Sequence, residues 1–209
     1  MEEDKTKKIT KHHSQTSFTR LLTMLIDCNQ ENLAIKLINE HKEFDPNFVE
    51  EGNGNQEQEH PIFIAYNANM PNLAMTMVKN LKTPIDDVRS HYTDESFPFY
   101  CFMSAYKVSA YNKPNAKNRV NFALDVLKET KNINMVDSCG STILHYACED
   151  PLLLPIVQYI CSREDADLSV QDYDGSTPLD IAAYSQNRQA VKFLAEKKTE
   201  KLAGVKISS

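Results

Sequence analysis

The chain has 209 residues, 41% of them hydrophobic, and a formal net charge of −6. That is enough apolar material for a packed core, and it excludes a wholly disordered chain; an acidic balance also argues against nucleic acid as the main partner, which needs clustered positive charge. No apolar run approaches the roughly 18 residues that span a bilayer, so no membrane insertion is expected, and the opening "MEEDKTKKITKHHSQ" lacks the apolar segment of a secretory signal. The five cysteines are odd in number and not closely paired, which reads as free thiols in a reducing, cytoplasmic setting.

In chain order, residues 1–14 form a charged leader expected to be disordered. "SFTRLLTMLIDCNQENLAIKLINEH", 17–41, carries two amphipathic stretches divided by "DCNQ". "HPIFIAYNANMPNLAMTMVKNL", 60–81, repeats the plan, with Leu73, Met75, Met77 and Val78 as the apolar residues of its second helix; the acidic, Gly-bearing "EEGNGNQEQE" before it is expected to be an extended tip. "SFPFYCFMSAY", 96–106, and "NRVNFALDVLKET", 118–130, predict another helix pair. Between them "KVSAYNKPNAKN", 107–118, is polar and broken by Pro114, and reads as a lengthened helix or an inserted loop.

The last third is the most explicit. "GSTILHYACE" at 140–149 returns as "GSTPLDIAAY" at 175–184, with Gly, Ser, Thr, Leu and Ala in register. Each Gly follows an Asp-bearing turn and supplies a positive φ that a Cβ would hinder. Thr142 and Thr177 stand where a hydroxyl caps a helix, and Pro178 follows at the first helical position, where a missing N–H costs nothing. Leu179, Ala182 and Ala183 predict a narrow apolar stripe. Pro151 and "SQN" mark breaks, Pro155 begins a second helix, and Ala190, Val191, Phe193 and Leu194 belong to the last one. One turn–helix–break–helix unit cannot bury its apolar face alone and must stack on others.

"DGSTPLDIAA", "CGSTILHYA" and the connection "DADLSVQD", with Ser169 in place of Asn, resemble the ankyrin repeat. The resemblance implies an all-α ankyrin-repeat solenoid of about five helix-turn-helix units with short hairpin connections. Their boundaries are about 16–43, 44–82, 83–132, 133–168 and 169–202, within one domain at 15–203 before a polar tail at 204–209. In the degenerate copies His60 takes the Thr place and Pro61 the Pro place; in the third, Pro98 takes the Pro place, Phe99 the core place and Phe102 a small-residue place.

The family implies a non-enzymatic adaptor, monomeric when unbound, that binds another protein through its concave face and fingertips. Carried over by position, the contact residues are Glu59 and Asn67 in the second unit and Ser96 and Ser104 in the third. They are Ser138, Ser141, Glu149 and Asp150 in the fourth, and Tyr173, Asp174, Ser176, Tyr184 and Ser185 in the fifth. Tyr173 and Tyr184 are the main candidates, since Tyr offers large contact area at low entropic cost. A second setting is a pathogen effector delivered into host cytoplasm, to which the degenerate repeats, the Lys/Asn bias and the tail "EKKTEKLAGVKISS" belong. The rival chemistry is a small cysteine-dependent hydrolase or modifying enzyme using Cys148 and His145, three apart on one helix face; a depressed thiol pKa is its signature. Cys139, His145, Cys148 and Cys161 can also be drawn as a zinc site. The repeat already explains His145 and Cys148, and no CxxC or HxxxH pair supports metal, so no cofactor is expected.

Overall fold

The computed structural model describes residues 2–49, 59–110 and 115–205, with side chains over 14–49, 59–109 and 115–200. The tip at 50–59 and the segment 111–114 of the 107–118 insertion therefore lie largely or wholly outside the described residues. The chain divides into two compact halves, Met1–Phe97 and Pro98–Ser209. Among the described residues ten α-helices alternate with turns, the only β pairing being the isolated bridges Arg89–Ser96 and Val136–Thr142.

In the N-terminal half, α1 (Glu2–Asp27) precedes α2 (Glu31–Glu40), and α3 (Pro61–Asn67) precedes α4 (Pro71–Asn80). Helix α1 thus starts well before the 1–14 boundary drawn from composition; the leader's run of Glu and Lys consists of good helix formers. Helix α1 packs on α2 and α3, and α4 on α2 and α3, which buries Leu22, Ile26, Ile38, Ile62, Phe63, Leu73 and Met77. Met75 is only half-buried.

The breaks are closed the same way in sequence-divergent pairs. Asn29 (φ 56°) and Asn69 (φ 61°) take the left-handed conformation, and the next amide reaches back five residues, Gln30 N to Leu25 O at 2.8 Å and Met70 N to Ala65 O at 3.0 Å. This is a Schellman closure with Asn in place of the usual Gly. The last pair of the chain closes identically, with Gln186 at φ 57° and Asn187 N donating to Ala182 O at 2.9 Å.

Helix starts in this half are capped from a distance. His60 stands at the N-cap of α3 but makes no side-chain cap there. Instead Asn47 Oδ1 accepts the amide of Ile62 at 3.2 Å, while the Asn47 side chain and carbonyl lie 3.1 Å from His60 Nδ1. Glu31 Oε1, at the start of α2, accepts the amides of Asn72 and Leu73 at the start of α4, both at 3.1 Å.

The C-terminal half holds α6 (Ala116–Glu129), α7 (Ile143–Ala147), α8 (Leu154–Ser162), α9 (Pro178–Tyr184), α10 (Arg188–Val205) and all but the first residue of α5 (Phe97–Ala110). Helices α6, α8 and α10 pack in a row, α7 packs on α8 and α9, and α9 on α10. Leu144, Ile156, Val157, Ile160 and Leu194 are buried between them. Pro155 sits in the first turn of α8, after a short 3-10 turn at Pro151–Leu153 that serves as the break. In the last pair Ala182 is buried and Leu179 half-buried, but Ala183 is exposed, so the expected apolar stripe is narrower by one residue.

Helix α5, at 14 residues, is twice the length of α9, so the start of the 107–118 insertion is a lengthened helix. Its register differs by one from the sequence alignment. Asp94 (φ 55°) lies two residues before Ser96, as Gly140 (φ 75°) lies two before Thr142 and Gly175 (φ 80°) two before Thr177. Ser96 and Thr142 each close a hairpin bridge and precede the first helical residue. Ser96 therefore occupies the capping place, Phe97 the place of Pro178, and the fully buried Cys101, not Phe102, the place of the small Ala147. The positive φ carried by Asp94, which tolerates it better than most residues, hid this register.

Candidate partner-binding face

The two hairpin tips of the C-terminal half are built alike from one Asp each. Asp137 Oδ1 accepts the amides of Cys139 (2.8 Å) and Ser141 (2.9 Å); Asp172 Oδ1 accepts those of Asp174 (3.0 Å) and Ser176 (2.8 Å). The Gly at each tip then turns the chain through positive φ. The tips are joined: Tyr173 N donates to Cys139 O at 3.0 Å, and the Tyr173 ring lies so close over Gly140 that a Cβ there would meet it at 2.7 Å.

Behind the tips, Thr142 and Thr177 open α7 and α9 with reciprocal capping boxes, using His145 and Asp180 at the third helical position. Asp180 Oδ2 accepts from the Thr177 hydroxyl at 2.6 Å and its amide at 2.9 Å, and these bonds lower the carboxyl pKa. His145 is buried; its Nδ1 accepts the Thr142 amide at 3.1 Å, which leaves the ring proton on Nε2 to donate to Ser176 O at 3.1 Å. The imidazole is thus a strut between adjacent tips.

At the far end of the first helices lies an aromatic group. Tyr106 on α5 and Tyr146 on α7 have ring centroids 5.5 Å apart, with Phe102 beside both. Tyr106 donates to Glu149, Ser109 to Asp150, and Tyr146 Oη to Asp137 Oδ2 at 2.6 Å. Burial first, then the accepting carboxylate, raises both phenols well above the usual tyrosine range, so they remain donors. The sequence did not single out Tyr106 or Tyr146, and marked Asp137 only as a turn position of the repeat. Only the lengthened α5 carries Tyr106 to this end, and only the folded tip brings Asp137 to Tyr146.

The residues expected to contact a partner fall in different surroundings. In the C-terminal half Tyr184 (90%) and Tyr173 (79%) are the most exposed large hydrophobic side chains, and Ser138 and Asp174 are also exposed. Ser104, Glu149, Asp150, Ser176 and Ser185 are half-buried. Ser141 is buried by the turn that Asp137 organises. In the N-terminal half Asn67 is exposed. Glu59 is half-buried because it accepts from Ser90 Oγ at 2.6 Å and His91 N at 3.1 Å, bracing the hairpin that follows. Ser96 is buried because it holds the capping place.

Cys148 is fully buried at the end of α7, and burial, followed by the neighbouring Cys161 and Glu149, pushes its thiol pKa far up, opposite to the signature of a nucleophile. His145, committed on both nitrogens, has no free atom to serve as its base. All five cysteines are free thiols, Cys28 and Cys139 exposed and the other three buried. Among the described residues no group of three or more His, Cys, Asp or Glu is arranged to hold a metal, and no helix is long and apolar enough to cross a membrane.

Residues 109–204 match a family model described as ankyrin repeats (3 copies). A stretch of 69 residues, 33% of this chain, is 36% identical to an ankyrin repeat protein of Fowlpox virus (strain NVSL) and covers 16% of that protein, so the chain spans about a sixth of the relative it matches. Residues 109–204 take in the paired Asp–Gly tips, the Thr caps and the His145 strut. Residues 109–204, a little under half of the chain, are thus similar to ankyrin repeats.

Proposed function

We propose that this chain is a non-enzymatic adaptor that binds another protein through the tips and first-helix ends of its C-terminal half, with Tyr173 and Tyr184 as anchors. One observation carries the proposal. Two large aromatic side chains of the last repeat, one at its tip and one at the end of its first helix, stand 79% and 90% exposed, the former held in place against the Gly140 turn of the repeat before it. An exposed Tyr with a fixed backbone offers contact area at little entropic loss.

The test is ligand selection by display against the full chain, followed by affinity measurement on Tyr173→Ala/Tyr184→Ala. A loss of about one to two decades, corresponding to about 1–3 kcal/mol, with an unchanged melting temperature is the expected result. Unchanged affinity in a folded double variant overturns it. The proposal extends to a monomeric adaptor acting in the cytoplasm, as an effector delivered into a host cell. The free thiols and the viral origin of the relative support this setting. Light scattering of the unbound chain and fractionation of cells exposed to its source test the two parts.

A further inference from the structure

The segment of sequence that carries Tyr173 and Tyr184 has an uneven charge, with Arg188 following it directly and Lys198 near Asp180. Residues 133–187 contain nine acidic residues, a single arginine and no lysine, a net charge of −8 in a chain whose total is −6. The arginine, Arg163, is already spent: it pairs with Asp165 at 2.6 Å and donates to Thr130 O at 2.7 Å.

The acids nearest the tyrosines are held by neutral donors. Asp137 and Asp172 accept backbone amides and, for Asp137, the Tyr146 phenol; Glu149 and Asp150 accept the Tyr106 phenol and the Ser109 hydroxyl. Such bonds fix a carboxylate in space without cancelling its charge. The aromatic and acidic residues are also contiguous. Tyr173 lies on the Gly140 turn, that turn's Asp137 reaches Tyr146, Tyr146 touches Tyr106, and Tyr106 reaches Glu149. Asn187, three residues after Tyr184, donates to Cys148 O at 3.0 Å, which ties the end of α9 to the end of α7.

We infer that the occupant of this face is a Lys/Arg-rich segment of the partner protein, its cations set against the tyrosine rings and the fixed carboxylates. The inference rests on the reading of this face as the binding surface and adds the chemistry of what binds. Exposed tyrosine faces attract cations, Arg in particular, and complementary charge steers the encounter. The exposed aromatics and the carboxylates held by neutral donors are separate observations, and both are met by one kind of partner.

The probe is a synthetic Arg/Lys-rich peptide, with the same peptide carrying norleucine at every basic position as its control. Three proteins are compared by fluorescence anisotropy at low and high salt: the wild type, Glu149→Gln/Asp150→Asn/Asp174→Asn on the face, and Glu129→Gln/Glu164→Gln/Glu196→Gln away from it. Both triple variants change the net charge equally. Salt-sensitive binding of the basic probe that falls roughly tenfold in the first variant, and far less in the second, is expected. Equal losses in the two variants overturn the inference, because binding then follows net charge alone. Failure of the basic probe beside a neutral or acidic selected ligand whose affinity drops in Tyr173→Ala/Tyr184→Ala also overturns it, while leaving the face itself as the binding surface.

Discussion

Gly140 and Gly175 share a positive φ, +75° and +80°, but not a neighbourhood. A Cβ on Gly175 meets nothing within 4 Å; one on Gly140 meets the Tyr173 ring at 2.7 Å. Gly175→Ala should therefore cost about 1–2 kcal/mol, the ordinary penalty of a left-handed L-residue, and leave partner affinity alone. Gly140→Ala should cost at least as much and also displace Tyr173, so that affinity falls with it. Melts and binding curves on the two variants separate these effects; equal affinities would show that the Tyr173 ring is not held for binding. The thiols make a second residue-scale prediction. In the native protein Cys28 and Cys139 should react with an alkylating reagent, and Cys101, Cys148 and Cys161 only on unfolding, as their burial requires. Fast native labelling of Cys148 would revive a cysteine-dependent enzyme.

At the scale of elements, the last two helix pairs were legible in the sequence because their turn chemistry is written in residues with few other uses: Asp for the tip, Gly for positive φ, Thr for the cap. The earlier pairs use substitutes that sequence pattern reads poorly. Asn29 and Asn69 close helices where Gly is the usual signal, Asp94 takes the positive φ that sets the register of α5, and the cap of α3 comes from Asn47, distant in sequence from the helix it serves. For the same reason Ser96 reads as a surface residue when it is a buried one. The joint between the ends of α7 and α9 was equally illegible, since it depends on a buried side-chain amide. Asn187, 2% exposed, donates to Cys148 O and accepts the Ala190 amide at 3.2 Å, so it serves two helices at once. Asn187→Ala leaves both partners unpaired and should destabilise by about 1–3 kcal/mol. Hydrogen exchange should quicken first in α7, α9 and α10; an unchanged melt and exchange pattern would mean that water replaces the side chain there.

At the scale of the whole chain, charge and aromatic residues are distributed in a way that no single repeat displays. Outside residues 133–187 the sequence is close to neutral, with a net charge of +2, while that segment holds the acidic excess. Sequence reading found the exposed tyrosines of that region but not the phenols of Tyr106 and Tyr146, whose bonds to Glu149 and Asp137 require the fold. Those bonds have an optical consequence. The chain has nine tyrosines and no tryptophan, so its ultraviolet emission comes from phenol rings alone. A phenol bonded to a carboxylate passes its proton toward that carboxylate on excitation and emits weakly, so Tyr106 and Tyr146 should be dark in the resting molecule. A guanidinium that takes hold of Glu149 competes for the same oxygens, loosens the phenol and lets it shine. Rising tyrosine emission on titration, lost in Tyr106→Phe, would make the unlabelled protein its own meter of occupancy.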